Sequence, residues 1–588
     1  MRYGLSFPER FNKFLFYIDA YLLFLSFLAI LSMIIEIGFT LTPNYRITLG
    51  IFYLTLGIIF IADYLLKLLL SERKIFFIKR NPAYAAAHLV LLFSILFALY
   101  THYYSKGEFF NPQDLVRPSA VLWILFRILL LSIVVSKFVR IGKIFTGMGL
   151  KPVQLLVLSF FTLIVTGTLF LLIPNAATGK LDIVDAAFTA TSAVCVTGLM
   201  TKSTGGDFTL FGQLIILCLI QLGGLGIMTI TAFIAQLTRR GFSITTRKIH
   251  AEVTGTFSYA EVYSIIRQII IYTFSVEAIG SVILSIRWYQ EYHAWGKAIY
   301  TGVFHAISAF CNAGFSLFNT NLETYVKDPV ITLTIAILIM LGSIGYLVFH
   351  DLFLYYSNWN TRHARKLGAQ TSLTLVVTIS LLVLGTVLIW FLEKNHELAQ
   401  FSLSQQWMIA FFQSVTTRTA GFNTMPVPTL SQATLFIMIF LMFIGGSSGS
   451  TAGGIKTSTF GVMMAQIRAT ILGYDEVTIF ERTIPRNTIA RAFSIAVVSA
   501  TLVIVTLIIL LTTQPFPFLN TLFEAVSAFG TVGLSTGITP QLTPLGKIII
   551  MLLMYLGRVG PVSFFVALGE IGHKEKVVKY PDAYLMVG

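Results

Sequence analysis

The chain has 588 residues, of which 56% are hydrophobic and 11% charged, with a mean hydropathy of +0.81; soluble globular chains carry about 25% charged residues. This composition excludes a soluble globular protein and specifies one that crosses a bilayer many times. The formal net charge of +15 lies beside apolar runs, as the positive-inside bias of cytoplasmic loops requires, so it does not call for a nucleic-acid partner.

From the N-terminus, Arg2, Arg10 and Lys13 precede an apolar run at 14–41, too long for a signal-peptide core and without a small-residue cleavage site. Three more runs follow at 49–70, 85–100 and 120–135. Basic residues mark the N-terminus, the 71–82 loop (Arg73, Lys74, Lys79, Arg80) and the 137–151 loop (Lys137, Arg140, Lys143). All three belong in the cytoplasm by the charge rule, which gives four spans in this block. The block loosely resembles the four-helix sensor of voltage-gated channels around Asp63 to Arg80. A sensor, however, needs several basic residues inside a span, and Arg127 alone clearly lies there; a packing or dimer-supporting role is the plainer reading.

After residue 149 one grammar recurs: apolar span, short half-helix, glycine-ended loop, second apolar span. The first copy has a span at 152–173 stopped by Pro174, a half-helix at 184–194 and a second span at 210–237. Asp185, near the half-helix start, is expected to cap its free amides. Arg239, Arg240, Arg247 and Lys248 then return the chain to the cytoplasm. The second copy uses 262–286 and 331–356, followed by Arg362, Arg365 and Lys366; the third begins at 373–392; the fourth uses 490–512 and 545–568. The fold class is therefore an all-α polytopic membrane protein. Four pseudo-symmetric repeats, at 149–258, 259–368, 369–478 and 479–588, surround one central pore, with about four extra helices in 1–148.

The loops themselves are Val196-Thr197-Gly198, Asn312-Ala313-Gly314, Thr419-Ala420-Gly421 and Thr531-Val532-Gly533. Each final glycine follows a phenylalanine by ten positions: Phe188, Phe304, Phe411 and Phe523. A cation leaving water needs its hydration shell replaced, and backbone carbonyls aimed into a narrow pore do that without fixed charge. Glycine reaches the required dihedrals without steric cost. These twelve residues are the candidate ion ligands of a selectivity filter, placed by the charge rule on the extracellular side. Half-helices of about 11 residues cannot cross roughly 30 Å of hydrocarbon. Their irregular ends belong in a wet cavity, where the negative ends of their dipoles favour a cation.

The second span of the third copy departs from the pattern. After the apolar stretch 435–444 it enters Gly445-Gly446-Ser447-Ser448-Gly449-Ser450-Thr451-Ala452-Gly453-Gly454-Ile455-Lys456, which cannot continue a stable helix. An isoleucine between the last glycine and the lysine, with no strand before it, argues against a phosphate-binding loop. The stretch reads as an intramembrane gate below the filter, formed by Gly445, Gly446, Ser447, Ser448, Gly449, Gly453, Gly454 and Lys456. Arg558, mid-span in the fourth copy, must face the pore or find carbonyl partners, and is assigned to the same gate. Arg418 is read as shaping the third loop from behind, and Glu277 and Glu524 as buried groups with structural partners. Cys195, Cys218 and Cys311 form neither a disulfide framework nor a metal cluster. No catalytic set is present, so no enzyme is expected.

In combination, these loops, Gln221-Leu222-Gly223-Gly224-Leu225-Gly226, the Gly445–Lys456 segment, Leu556-Gly557-Arg558-Val559-Gly560-Pro561 and the closing Tyr580-Pro581 and Val587-Gly588 resemble the membrane subunit of the Trk/Ktr/HKT superfamily over about 150–588. The resemblance implies a homodimer of four-repeat pores in the cytoplasmic membrane, docked on a cytosolic ring of nucleotide-binding regulatory subunits. It implies potassium as the transported ion and no cofactor in this chain, any nucleotide being bound by the partner. Gly198, where sodium-associated members carry serine, resembles the potassium-preferring members. Two other readings stand beside this one: a sensor or scaffold on a transporter frame that no longer conducts, and a voltage-responsive channel whose response would be lost in Arg127→Gln.

Overall fold

In a bilayer an apolar run satisfies its own backbone only as a helix or a closed barrel, and the runs among the described residues are helices. The computed structural model describes residues 43–69, 152–237, 259–357, 367–561 and 564–565, with scattered positions between 21 and 42. The chain divides into two compact units: Met1–Gly149 with Ile173–Asn175 and Ile234–Gly241, and the remainder. In the first, helix α1 covers Pro43–Leu69, where a span at 49–70 is expected. The expected spans at 85–100 and 120–135, Arg127, the basic residues of the 71–82 and 137–151 loops, and Arg239, Arg240, Arg247, Lys248, Arg362, Arg365, Lys366 and the C-terminal motif lie outside the described residues.

The second unit runs through one succession four times. The first helices are α2 (Pro152–Leu171), α5 (Tyr259–Tyr292), α9 (Ala369–Glu393) and α13 (Arg486–Thr513). Short helices follow: α3 (Ile183–Val194), α6 (Trp295–Phe310), α10 (Leu403–Thr416) and α14 (Phe518–Gly530). The second helices are α4 (Leu210–Leu237), α7 and α8 (Pro329–Ile344, Tyr346–Ser357), α11 and α12 (Gln432–Phe443, Thr457–Ile471) and α15 (Pro544–Val559). A two-stranded hairpin, β1 (Thr478–Ile479) and β2 (Arg482–Thr483), joins α12 to α13. Among the described residues, Gln268–Tyr292, Ala369–Glu393 and Arg486–Thr513 are long and apolar enough to cross a membrane, and Pro329–Ile344 with Val348–Tyr356 passes as a fourth span bent by 97°.

That bend exposes a feature the apolar pattern conceals. The runs at 210–237, 331–356 and 545–568 read as uninterrupted spans, yet each is broken at a glycine with positive φ: Gly226 (75°), Gly345 (85°) and Gly560 (89°). Three residues before each break, Gly223, Gly342 and Gly557 lie against the carbonyls of Val194, Phe310 and Phe529. Those carbonyls end the short helices, and any β-carbon would keep the backbones apart. In the third succession the single-glycine break is widened to the whole 444–456 segment between α11 and α12.

The third copy also shifts its register. Phe188, Phe304 and Phe523 are fully buried, but the matching buried ring on α10 is Phe412, while Phe411 is only half-buried. Alignment on the glycine favours Phe411; packing favours Phe412, which precedes Gly421 by nine residues instead of ten.

Asp185 likewise does something other than expected. Asp182 caps α3, its Oδ2 accepting from Val184 N at 3.2 Å. Asp185 turns away to pair with Lys547 Nζ at 2.6 Å, tying α3 to α15 and the first copy to the fourth. Both side chains are largely buried, at 12% and 14% exposure, so removing one partner leaves an uncompensated charge, at a cost of about 3–5 kcal/mol. Lys547→Ala is expected to lower the thermal unfolding midpoint in detergent sharply, and Asp185→Asn combined with Lys547→Met to recover most of the loss.

Candidate functional site: a ring of four glycine loops

Each short helix delivers its loop in the same conformation. Val196, Asn312, Thr419 and Thr531 take positive φ (54°, 60°, 75°, 49°), as do the glycines two residues on: Gly198 (93°), Gly314 (70°), Gly421 (75°) and Gly533 (95°). Left-handed residues alternating with ordinary ones turn successive carbonyls toward the same side. The strain at the four non-glycine positions, about 1–3 kcal/mol each, is held by bonds from the helix ends. Thr197, Ala313 and Val532 N–H groups donate to Ser192, Ser308 and Ser527 carbonyls. The hydroxyls of Ser192 and Ser527 accept from Gly198 N (3.0 Å) and Gly533 N (3.1 Å). Those of Ser308 and Thr416 donate to Phe315 O (2.7 Å) and Phe422 O (2.6 Å). Thr416 is the counterpart of these serines, four residues after Phe412; a hydroxyl four residues beyond a buried ring is the sequence signal that finds all four.

The loops close on one another in chain order. A Cβ at Gly198 would strike the Ala313 carbonyl oxygen at 2.5 Å, and one at Gly314 the Ala420 oxygen at 2.8 Å. At Gly421 it would strike the Val532 oxygen, and at Gly533 the Thr197 oxygen, which completes the circuit. The side chains of Asn312 and Thr419 also meet, at 3.3 Å. Among the described residues, the twelve carbonyls of positions 196–198, 312–314, 419–421 and 531–533 accept hydrogen bonds only at Gly314 and Gly421, both from Asn321. Buried carbonyls left without partners are rare in folded proteins. Here all but Gly533 of these residues are buried.

Behind the ring, buried polar groups brace it. Glu524 accepts from Ser535 Oγ, from Thr536 N at 3.1 Å and from Thr539 Oγ1 at 2.9 Å. His305 spans Thr301 O (2.9 Å) and Ser316 Oγ (3.0 Å). Glu277 accepts from Gln221 Nε2 at 3.0 Å beside Cys311. Glu393, absent from the sequence-based set, holds Ser431 N at 3.0 Å and Thr434 Oγ1 at 2.5 Å. In the connection after the second loop, burial raises the Glu323 carboxyl above its usual range, offset in part by the Asn423 amide at 2.7 Å.

The glycine-rich segment is tied down on several sides. Ser447 N donates to Ser343 O (2.9 Å), Thr451 Oγ1 to Phe310 O (3.1 Å), and Gly445 N to Ile455 O (2.8 Å) across the base of the segment. Gly446 O accepts from Thr457 N (3.0 Å), Ser448 Oγ meets Ser458 Oγ (3.1 Å), and Gly449 and Gly454 take positive φ. Gly453 packs against Thr531 of the fourth loop. Three cations hold its carbonyls. Arg558 donates to Thr451 O and, at 2.7 Å, to Gly223 O; Lys456 donates to Ala452 O at 2.6 Å; Arg418 reaches Gly445 O at 3.4 Å. Arg418 thus braces the segment at its start, and Arg558 joins the segment to the break region of α4.

Membrane helices interrupted by short helices that end in a shared ring of loops define a class: helical membrane transport proteins. Residues 149–580 match the family model described as TrkH, cation transport protein. The chain belongs to this family, and it is a transporter rather than an enzyme. It is 36% identical over 448 residues to the Ktr system potassium uptake protein B of Bacillus subtilis, covering 76% of this chain and 99% of the relative. The potassium/sodium uptake protein NtpJ of Enterococcus hirae is 36% identical over 447 residues, covering 75% and 98%. The crystal structure of the potassium transporter TrkH from Vibrio parahaemolyticus shares the fold, with a TM-score of 0.57 at 16% identity, covering 82% of this chain and 97% of that one.

Proposed function

We propose that this chain takes up potassium through a filter made of Val196 to Gly198, Asn312 to Gly314, Thr419 to Gly421 and Thr531 to Gly533. The observation that carries the reading is the ring of buried carbonyls with almost no protein donors, which a dehydrated cation satisfies. The four short helices turn the negative ends of their dipoles toward the ring and add to its preference for positive charge. Four repeats, at 149–258, 259–368, 369–478 and 479–588, surround this one pore, and residues 1–148 add about four further spans. The segment Gly445 to Lys456 is the gate, held across the pore by Arg558 and Lys456 and withdrawn when those contacts release. The protein sits in the cytoplasmic membrane with its N-terminus inside, as a homodimer on a cytosolic nucleotide-binding ring; the family resemblance suggests this assembly, the name Ktr system potassium uptake protein B supports a potassium uptake system, and the charge rule supports the orientation.

The test is rubidium and sodium uptake into a potassium-transport-deficient bacterium, with and without a ring subunit. Potassium-selective flux is expected, and equal sodium and potassium flux would overturn the selectivity. Gly198→Ser places a Cβ against Ala313 O, 2.5 Å away, and a hydroxyl in the ring. Its expected result is a loss of potassium preference by about tenfold, or about 1.4 kcal/mol, read as the ratio of rubidium to sodium uptake.

A further inference from the structure

Asn321 follows the second filter glycine by seven residues, and its backbone is left-handed (φ 55°). Its amide Nδ2 lies 3.5 Å from Gly314 O and 3.4 Å from Gly421 O, the last filter carbonyls of two neighbouring loops. These distances exceed the usual 2.7–3.2 Å of an N–H···O bond, so the amide is held weakly. The other end of the same group, Oδ1, is buried and accepts no hydrogen bond, although the residue is only 8% exposed. A buried amide oxygen without a partner is costly. Here it sits beside two carbonyls already short of donors.

The backbone fixes this side chain at the seam. Asn321 N donates to Phe318 O at 3.1 Å, and the next residue, Leu322, donates to Asn423 O at 3.1 Å. The second and third loops are thus stitched together just beyond their glycines, with the amide set over the join. The first and fourth loops offer no equivalent: Gly198 O and Gly533 O accept no hydrogen bond among the described residues. The outer end of the ring is therefore asymmetric.

We infer that Asn321 is a side-chain ligand for an alkali cation at the outer end of the filter, a reading that rests on the filter proposed above. Rotation of the amide about χ2 exchanges Nδ2 for Oδ1 without moving the backbone. With Nδ2 inward, the amide satisfies Gly314 O and Gly421 O. With Oδ1 inward, it joins those oxygens around the cation and replaces a water. Asn321 thus sets how readily the outermost site loads and which alkali ion it prefers, on one side of a ring whose other ligands are backbone.

The experiment compares wild type with Asn321→Leu and Asn321→Asp in full-length protein, measuring rubidium uptake against concentration and its inhibition by sodium. Asn321→Leu keeps the size and removes both polar ends. It is expected to raise KM about tenfold, the equivalent of about 1.4 kcal/mol, with Vmax kept within about twofold. Asn321→Asp keeps the shape and presents only oxygens; it is expected to lower KM and to deepen sodium inhibition, and it carries the test if the leucine variant does not reach the membrane. A merely positioning residue would give the opposite split, with Vmax falling in both variants at unchanged KM and sodium inhibition, and that result overturns the inference. If wild type transports, Gly533→Asp abolishes transport and both Asn321 variants match wild type, the filter stands and the ligand role falls. If wild type and Gly533→Asp behave alike, the filter reading itself falls.

Discussion

Gly533→Asp is expected to abolish uptake, by at least about a hundredfold, or about 2.7 kcal/mol at 1.36 kcal/mol per tenfold, while the protein still reaches the membrane. Three independent costs meet at this atom. At φ 95° the backbone is in a region that side chains with a Cβ rarely adopt, at about 1–3 kcal/mol. The Cβ would collide with Thr197 O and approach Gly198 Cα at 2.9 Å, so the fourth loop can no longer close against the first. The carboxylate then sits in the ring and binds a cation instead of letting it leave. Uptake assays beside immunoblots of the membrane fraction check this. Near-normal flux with normal membrane levels would show that ions cross by another route.

Arg558→Gln is expected to have the opposite sign: if the glycine-rich segment is the gate proposed above, flux increases and no longer requires the proposed ring subunit. Arg558 donates to Thr451 O in the glycine-rich segment and to Gly223 O at the base of the first copy. Hydrogen bonds from a charged group contribute about 1.5–3 kcal/mol each. Losing one such contact shifts a closed–open equilibrium by about tenfold or more toward open. On the proposed ion path, the substitution also removes a fixed positive charge, which lowers the barrier to a second cation. Lys456 and its bond to Ala452 O remain, so the effect is partial. Arg558→Lys separates the two contributions: it keeps the charge but loses the fork that reaches two carbonyls at once. A partial opening is therefore expected from lysine and a larger one from glutamine. Flux lower than wild type in Arg558→Gln, with the protein in the membrane, would make Arg558 a strut of the open path rather than a latch.

The places where reading the chain succeeded and failed have physical reasons. The helices were legible because a bilayer admits few alternatives for a long apolar run. The glycine loops were legible because the same pattern recurs four times. The breaks at Gly226, Gly345 and Gly560 were not, since a glycine inside an apolar run is common in membrane helices. Only the carbonyls of Val194, Phe310 and Phe529 against the second helices show why the backbone must turn there. Asp185 was misread because a carboxylate in the first turn of a helix has two good uses, capping and pairing. Its partner Lys547 is 362 residues away. Phe411 keeps the ten-residue spacing to Gly421, yet the buried ring is Phe412, because burial follows the helix face and not the count back from the glycine.

Asn321 was invisible for a related reason. An asparagine in a polar turn is ordinary turn chemistry, and nothing local marks it out. Its meaning appears only when Gly314 O and Gly421 O, 107 positions apart in the chain, arrive beside the same amide. Composition and periodicity by themselves determined that this is a polytopic helical membrane protein with four glycine-ended loops, because hydrophobic length and repetition are one-dimensional quantities. The closing of those loops into a ring, the partners of Asp185 and Arg558, and the seam held by Asn321 were decided by tertiary structure alone. Each depends on the meeting of groups about a hundred or more residues apart, and no local pattern encodes such a meeting.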